Sequence, residues 1–259
     1  NQFMRIENLP LLCNPYVGEP FKIEKGFLVG VMTGKKFPII NGIPLIYDAS
    51  NHSKKNNRNR WLHDRSAFAY DAVVSWGEKL KINSENTVRE NYIRSLKINS
   101  GDRVLETAIG TGTNLAYLPQ DIDFFGHDLS IQMLRIAQKN GDKQSRTLEL
   151  FQGDGAFLPF RDETFDHVFQ MGGLQFYEDP FKGVSEMART AKSGTTIHIL
   201  DEISGAMRML KKMPAHAKYA DQPQRTVDAM PRLVPHSMRS IESGSIENSN
   251  FYFLRFEKP

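Results

Sequence analysis

The apolar residues of this chain fall into short blocks, each closed by a polar or small residue. Val104-Leu105 leads to Glu106, and Phe124-Phe125 lies within a run from Asp123 that ends at Asp128. Leu148 to Phe151 leads through Gln152-Gly153 to Asp154, Phe165 to Met171 leads to Gly172-Gly173, and Thr196 to Leu200 is a fifth block. Blocks of this length suit buried strands better than helices. Between them, Ser130 heads a segment with Ile131, Leu134 and Ile136-Ala137 on one face, the spacing of a serine-capped amphipathic helix. The alternation predicts an α/β fold whose strands deliver polar or small groups at their carboxyl ends, the edge at which open α/β sheets take ligands.

The flanks extend this pattern. Ser84 begins a predicted helix with Val88, Tyr92, Ile93 and Leu96 on one face, and Trp61 to Leu80 before it concentrates aromatics at Trp61, Phe68, Tyr70 and Trp76. Met207, Met209, Leu210 and Met213 suit a helix or an adaptable pocket wall. Met238 to Ile246 and Phe251 to Phe256, about a Glu247-Asn248-Ser249-Asn250 turn, predict an antiparallel pair that closes the sheet.

The junction after the first block carries the most chemistry. Gly110 and Gly112 let the backbone approach a ligand where a Cβ would collide, and the spacing predicts a helix start just beyond, with free N–H groups. A dinucleotide site would place a third glycine at 115, where this chain has Leu115. It would also avoid Glu106, which repels a pyrophosphate but suits an ammonium group. Both features favour a cationic nucleoside ligand such as S-adenosylmethionine. Asp128 stands 18 residues beyond Gly110, the spacing at which a parallel sheet sets an acceptor for ribose hydroxyls. Asp166, at the start of a strand, reads as structural, and His167 and His198, within strands, as packed or solvated side chains and not catalytic ones.

The phrases VLETAIGTGTNL, GHDLSIQML, GDGAFLPFRDETFDHVF, GGLQFYEDP and SEMARTAKSGTTIHILDE occur in an order and spacing by which residues 102–201 resemble a class I S-adenosylmethionine-dependent methyltransferase of the ubiquinone/menaquinone type. The resemblance implies a seven-stranded Rossmann-like sheet and a role for each matching position. Glu106 and the backbone of Ala108, Gly110, Thr111 and Gly112 would hold the methionine part. Asp128 would take the ribose, Leu129 would pack on the adenine, Asp154 with Gly155 would take the adenine amino group, and Met171 would present its backbone near the methyl. Two positions depart from the family: Ala108 replaces the usual first glycine, and Ser193 the usual proline before Gly194.

The first 50 residues are similar to the zinc ribbon fused to many methyltransferases, with knuckles at Leu12 to Tyr16 and Leu28 to Ile39 and the closing phrase FPIINGIPLI. A tetrahedral zinc site would need cysteines at 13, 16, 30 and 33. Only Cys13 is present, beside Tyr16, Gly30 and Thr33, which predicts a β module without metal, stabilised by its apolar residues, with Cys13 buried and not a nucleophile. The expected division is therefore 1–50 as a degenerate ribbon, 51–100 as linker and helical cap, and 101–259 as the cofactor-binding domain.

Composition narrows the function further. A net charge of +3 over 259 residues is too mild to imply nucleic acid, and the one basic cluster, Lys54 to Arg60, reads as a solvated linker. The single cysteine precludes an internal disulfide and suits the cytoplasm, no apolar run reaches a membrane span, and no signal peptide is visible. The expected reaction is methyl transfer to an O, N or C atom of a small molecule, with His63, Asp64 and Tyr70 as candidates should the acceptor need a base. Met171-Gly172-Gly173-Leu174 stands where an Asn/Asp-Pro-Pro-Tyr/Phe run would, which argues against methylation of amide or exocyclic base nitrogens. Two other classes stay open: a methyltransferase acting on RNA or protein, with the ribbon and Lys54 to Arg60 as docking surface, and a cofactor-binding protein without transfer. The sequence does not fix the oligomeric state.

Overall fold

Four short strands open the chain: β1 (Phe21–Glu24), β2 (Phe27–Gly30), β3 (Lys36–Ile40) and β4 (Ile43–Ile46). They form an antiparallel meander with Phe21↔Gly30, Leu28↔Phe37 and Ile40↔Ile43 in register. The computed structural model describes residues 4–52, 84–202, 227–247, 249 and 251–259.

Helix α1 (Ser84–Ser95) precedes β5 (Arg103–Thr107), β6 (Asp123–Asp128), α2 (Ile131–Lys143), β7 (Leu148–Gly153), β8 (His167–Met171), α3 (Pro180–Thr190) and β9 (Thr196–Glu202). The antiparallel pair β10 (Arg239–Ser245) and β11 (Phe251–Glu257) ends the fold. Strands β5 to β9 are mutually parallel and β11 is antiparallel to β9, in the spatial order β7-β6-β5-β8-β9-β11-β10. This is the mixed seven-stranded α/β sheet the sequence predicts, with strand ends within a few residues of the expected ones.

The sheet separates two apolar layers. On one side Leu105, Phe125, Phe151, Val168, Ile197 and Ile199 pack with α3, and Phe125, Phe151, Phe160 and Phe165 interlock with ring centroids 5.0 to 6.2 Å apart. Each such buried side chain contributes about 1.5–3 kcal/mol. Val104, Phe124, Leu150, Phe169 and Leu200 face the other side, against Ile93 and Leu96 near the end of α1 and Leu134 and Ala137 of α2. Helix α3 begins where Asp179 accepts the Lys182 amide and Pro180 fixes the first turn, and it buries Val184, Met187 and Ala188 at the expected spacing.

The sheet does not stop at its seventh strand. β4 pairs in parallel with β7, Leu45↔Gln152 and Ile46↔Gly153, so the N-terminal meander extends one sheet to eleven strands. Gly153 permits the approach, since a Cβ there would lie 2.9 Å from the Ile46 carbonyl oxygen. The junction covers what would otherwise be an open sheet edge. It is further closed by Arg5, whose guanidinium bonds Glu149 at 2.7 Å and also Asp123, while Glu149 itself is buried.

The knuckle region has a polar centre. Cys13 is buried and its thiol donates to the Phe160 carbonyl at 3.3 Å, with burial pushing its pKa up. Tyr16 lies among the rings of Phe37 and Phe157. Beside Gly30 and Thr33 lies the carboxylate of Glu19, which accepts from the Asn14 amide group at 2.9 Å, the backbone N–H groups of Met32 (2.6 Å) and Thr33 (2.8 Å), and the Thr33 hydroxyl. A Cβ on Gly30 would fall 2.0 Å from Glu19 Oε1. A buried anion adds to the apolar residues in stabilising this module by binding its turns together. Among the described residues no group of three or more His, Cys, Asp or Glu side chains is placed to hold a metal.

Candidate functional site

Glu106 ends β5 beneath the loop that follows it, and its side chain is 1% exposed. The Asn114 amide donates to Oε1, and Arg89 of α1 in turn donates to the Asn114 carbonyl oxygen at 2.6 Å. Oε2 has no partner among the described residues. Burial pushes the Glu106 carboxyl up to about 8, helped by the charge of Asp128 and opposed by Asn114 and Arg89. Burial of a carboxyl with one oxygen unpartnered among the described residues penalises its ionised form.

The loop above it winds through left-handed backbone at Ala108 (φ 53°), Gly110 (φ 58°) and Gly112 (φ 76°). At Ala108 this conformation costs roughly 1–2 kcal/mol, which a glycine would avoid. The two glycines do different things. A Cβ on Gly110 would meet nothing within 4 Å, so this residue faces open space, whereas one on Gly112 would lie 2.9 Å from Leu115 and 3.3 Å from Ala137 of α2. Gly112 is therefore the close-packing glycine, a role that the sequence comparison with dinucleotide sites placed at 115. The helix expected after the loop is only a 3-10 turn, Thr113–Tyr117, because Leu118 must be extended ahead of Pro119. The Thr111 carbonyl accepts from Asn140 at 3.0 Å, which ties the loop to α2.

Asp128, at the end of β6, accepts the Gly110 amide at 2.9 Å through one oxygen and the Ser130 amide at 2.9 Å through the other. Leu129 beside it is half-buried, and its carbonyl accepts from Gln152 at 2.8 Å. Asp154, just beyond β7, is buried and accepts the Ala156 amide at 2.9 Å. Gly155 makes room for Tyr177, since a Cβ there would fall 2.4 Å from the tyrosine oxygen. Met171 closes β8 ahead of Gly172 and Gly173, both at positive φ, and a Cβ on Gly172 would also meet open space. Glu106, Ala108 to Gly112, Asp128, Leu129, Asp154, Gly155 and Met171 thus all lie along one edge of the sheet, at the carboxyl ends of neighbouring parallel strands.

Several residues around this edge carry no motif. Asn114 and Arg89 set the environment of Glu106, and Gln170, fully buried on β8, leaves both its amide atoms without a described partner. Asp166 lies at the opposite edge, accepting from the Arg103 amide and from Lys192. His167 pairs with Asp102 at 3.0 Å, and His198 packs edge-on to Tyr92 of α1. His63, Asp64 and Tyr70, the aromatic segment 61–80, the basic cluster 54–60 and the methionines between 207 and 213 lie outside the described residues.

Residues 105–199 match a family described as a methyltransferase domain. Over 168 residues the chain is 31% identical to a phosphatidylethanolamine N-methyltransferase of Cereibacter sphaeroides, an alignment covering 61% of this chain and 81% of the relative. Over 142 residues it is 29% identical to a demethylmenaquinone methyltransferase of Thermobifida fusca, covering 54% of this chain and 59% of that protein. Among solved structures, an S-adenosyl-L-methionine-dependent methyltransferase fold from Methanococcus maripaludis superposes with a TM-score of 0.59 at 20% identity, over 82% of this chain and 97% of the other.

Proposed function

This chain belongs to the class I S-adenosylmethionine-dependent methyltransferases, and from that premise we propose that it transfers the methyl group of S-adenosylmethionine to an O, N or C atom of a small molecule. When bound, the cofactor supplies an electrophilic methyl on a positively charged sulfur. The observation that carries the reading is Glu106, a buried carboxyl with one oxygen unpartnered among the described residues, below a loop whose Gly110 faces open space.

In this proposal Glu106 receives the ammonium group and the backbone from Ala108 to Gly112 lies along the methionine part. Asp128 accepts from the ribose hydroxyls while Leu129 covers the adenine. Asp154 accepts from the adenine amino group beside the Gly155 backbone, and the Met171 main chain borders the methyl. Holding donor and acceptor in line supplies most of the acceleration in such a transfer, so an essential acid or base is not required of the protein. The relatives' names, which specify phosphatidylethanolamine and demethylmenaquinone, support an acceptor of small-molecule class over RNA or protein. Among the described residues no helix is long and apolar enough to cross a membrane; we place the protein in the cytoplasm, which its single cysteine suits. We also retain the three-part division at residues 50 and 100, with the first part joined to the third through β4 and β7.

The transfer is tested by incubating the full chain and methyl-labelled cofactor with a low-mass metabolite and lipid fraction, with RNA and with protein. Label is expected in the low-mass fraction alone. Label in RNA or protein would put the macromolecular reading in its place, and ligand binding with no turnover in any fraction would favour a binding protein.

Glu106 also predicts a proton linkage. With its pKa near 8 it is mostly protonated at neutral pH, and an ammonium partner favours the ionised form. Binding of S-adenosylhomocysteine at neutral pH is therefore expected to release nearly a full proton, and affinity is expected to rise with pH until the free carboxyl ionises. Calorimetric titration in buffers of different ionisation enthalpy reads this directly, and a buffer-independent enthalpy would contradict it. For stability the sign is the reverse of the usual carboxylate: the raised pKa means that the folded protein loses stability as pH rises from the ordinary glutamate value of 4.5 towards 8.

A further inference from the structure

β4 runs parallel to β7, so the chain that leaves β4 emerges at the same edge as Asp154. There Asp48 accepts the Ser50 amide at 3.1 Å and starts a 3-10 turn, Ala49–Asn51, which delivers His52. The His52 side chain is 2% exposed. Its ring stacks on Tyr47 with centroids 4.2 Å apart and meets Phe157 edge-on at 5.3 Å. Its Nε2 is 3.1 Å from the Tyr16 hydroxyl and its Nδ1 is 3.3 Å from Asp154 Oδ2.

The far end of this ring is tied to the backbone through Tyr16. The Asp48 amide donates to the Tyr16 oxygen at 3.0 Å, and the same oxygen is hydrogen-bonded to Nε2. On its other side the ring sets Nδ1 at 3.3 Å from Asp154 Oδ2, a polar contact between the histidine and the carboxylate. With the Ala156 amide donating to Oδ1 and His52 against Oδ2, each oxygen of the carboxylate has a neighbour that limits its rotation.

We infer that His52 is a positioning residue of the cofactor site: through it the N-terminal unit orients the carboxylate that accepts the adenine amino group. This rests on the reading of Asp154 given above. The arrangement assigns a use to the first 52 residues that a metal-binding knuckle would not have. Tyr16, at the place of the second knuckle thiolate, directs the histidine, and His52 carries that order to the ligand edge. A carboxylate already aimed loses little rotational freedom when the ligand arrives, which is where the gain in affinity lies.

The test is calorimetric titration of the full chain with S-adenosylhomocysteine and with its analogue in which unsubstituted purine replaces adenine. His52→Ala is expected to weaken S-adenosylhomocysteine binding about tenfold, the loss of the polar contact that aims the carboxylate, and to leave the purine analogue nearly unchanged. His52→Asn, whose amide can donate from the Nδ1 position, is expected to restore most of the affinity. Equal weakening of both ligands by His52→Ala, or an unchanged affinity for S-adenosylhomocysteine, would overturn the inference. Asp154→Ala separates the two levels: if it leaves S-adenosylhomocysteine binding intact, the adenine assignment itself fails. If it weakens binding while His52→Ala does not, only the role of His52 fails.

Discussion

Glu19→Ala is expected to destabilise the N-terminal unit by about 2–4 kcal/mol, because it removes a charged acceptor from four donors at once. The carboxylate is 1% exposed and joins Asn14 of the first turn to Met32 and Thr33 of the second. Alanine leaves the donors facing a void, and only those at the exposed turn can turn to water. The same interactions set a pH dependence. Burial alone would raise the Glu19 pKa, but the hydrogen bonds from Thr33, Asn14 and Met32 outweigh it and hold the carboxyl down at about 2, against an ordinary glutamate value of 4.5. A depressed folded pKa stabilises above the unfolded value, so this contribution is complete above about pH 5 and is lost as pH falls towards 2. Thermal melts of wild type and Glu19→Ala across that range read both effects. Equal melting temperatures at neutral pH would show that the anion does not hold the turn, and a difference that persists undiminished at the acid end would show that its charge is not what matters.

The absence of thiolates at 16, 30 and 33 is legible in the sequence, but what replaces them is not. Glu19 sits between Gly18 and Pro20 in a polar turn and carries no periodicity or spacing that marks it as buried. A carboxylate that finds four donors looks, residue by residue, like any turn carboxylate. The one available signal is Gly30 itself, at a position where a zinc knuckle has a thiolate: a glycine there can mean that something else occupies the space.

The five parallel strands are legible because each is an apolar run of strand length ending in a polar or small residue, and burial on both faces leaves that composition little freedom. The pairing of β4 with β7 is not legible, since Ile43–Ile46 is short and fits a separate module as well as it fits a sheet edge. Edge-to-edge joins depend on which strand lies outermost, and that is a property of the whole topology. The loop after β5 is legible in its glycines, but the short 3-10 turn beyond them is not, because Pro119 limits that helix from its far end. Among site residues, the strand-end carboxylates announce themselves by position. Asn114, Arg89 and His52 act through a carboxylate rather than at the end of a strand, and no spacing relates them to it.

Asp128→Ala is expected to weaken S-adenosylmethionine binding by about one to two decades, corresponding to roughly 1.5–3 kcal/mol of hydrogen bonding to a charged acceptor. The proposal gives this carboxylate the two ribose hydroxyls. It also already accepts the amides of Gly110 and Ser130, so it braces the loop after β5 against the start of α2 before any ligand arrives. Two contributions therefore enter the same substitution, and they can be separated by ligand. A cofactor analogue lacking the ribose hydroxyls removes the direct contact and leaves the bracing, so the penalty of Asp128→Ala should shrink with that analogue to what the loop alone contributes. Asp128→Asn keeps one acceptor oxygen and should fall between wild type and alanine. Calorimetric titration of the three proteins against both ligands is the measurement. An unchanged dissociation constant for S-adenosylmethionine in Asp128→Ala would remove the carboxylate from the site. An equal penalty for both ligands would reduce its role to holding Gly110, with the ribose recognised elsewhere.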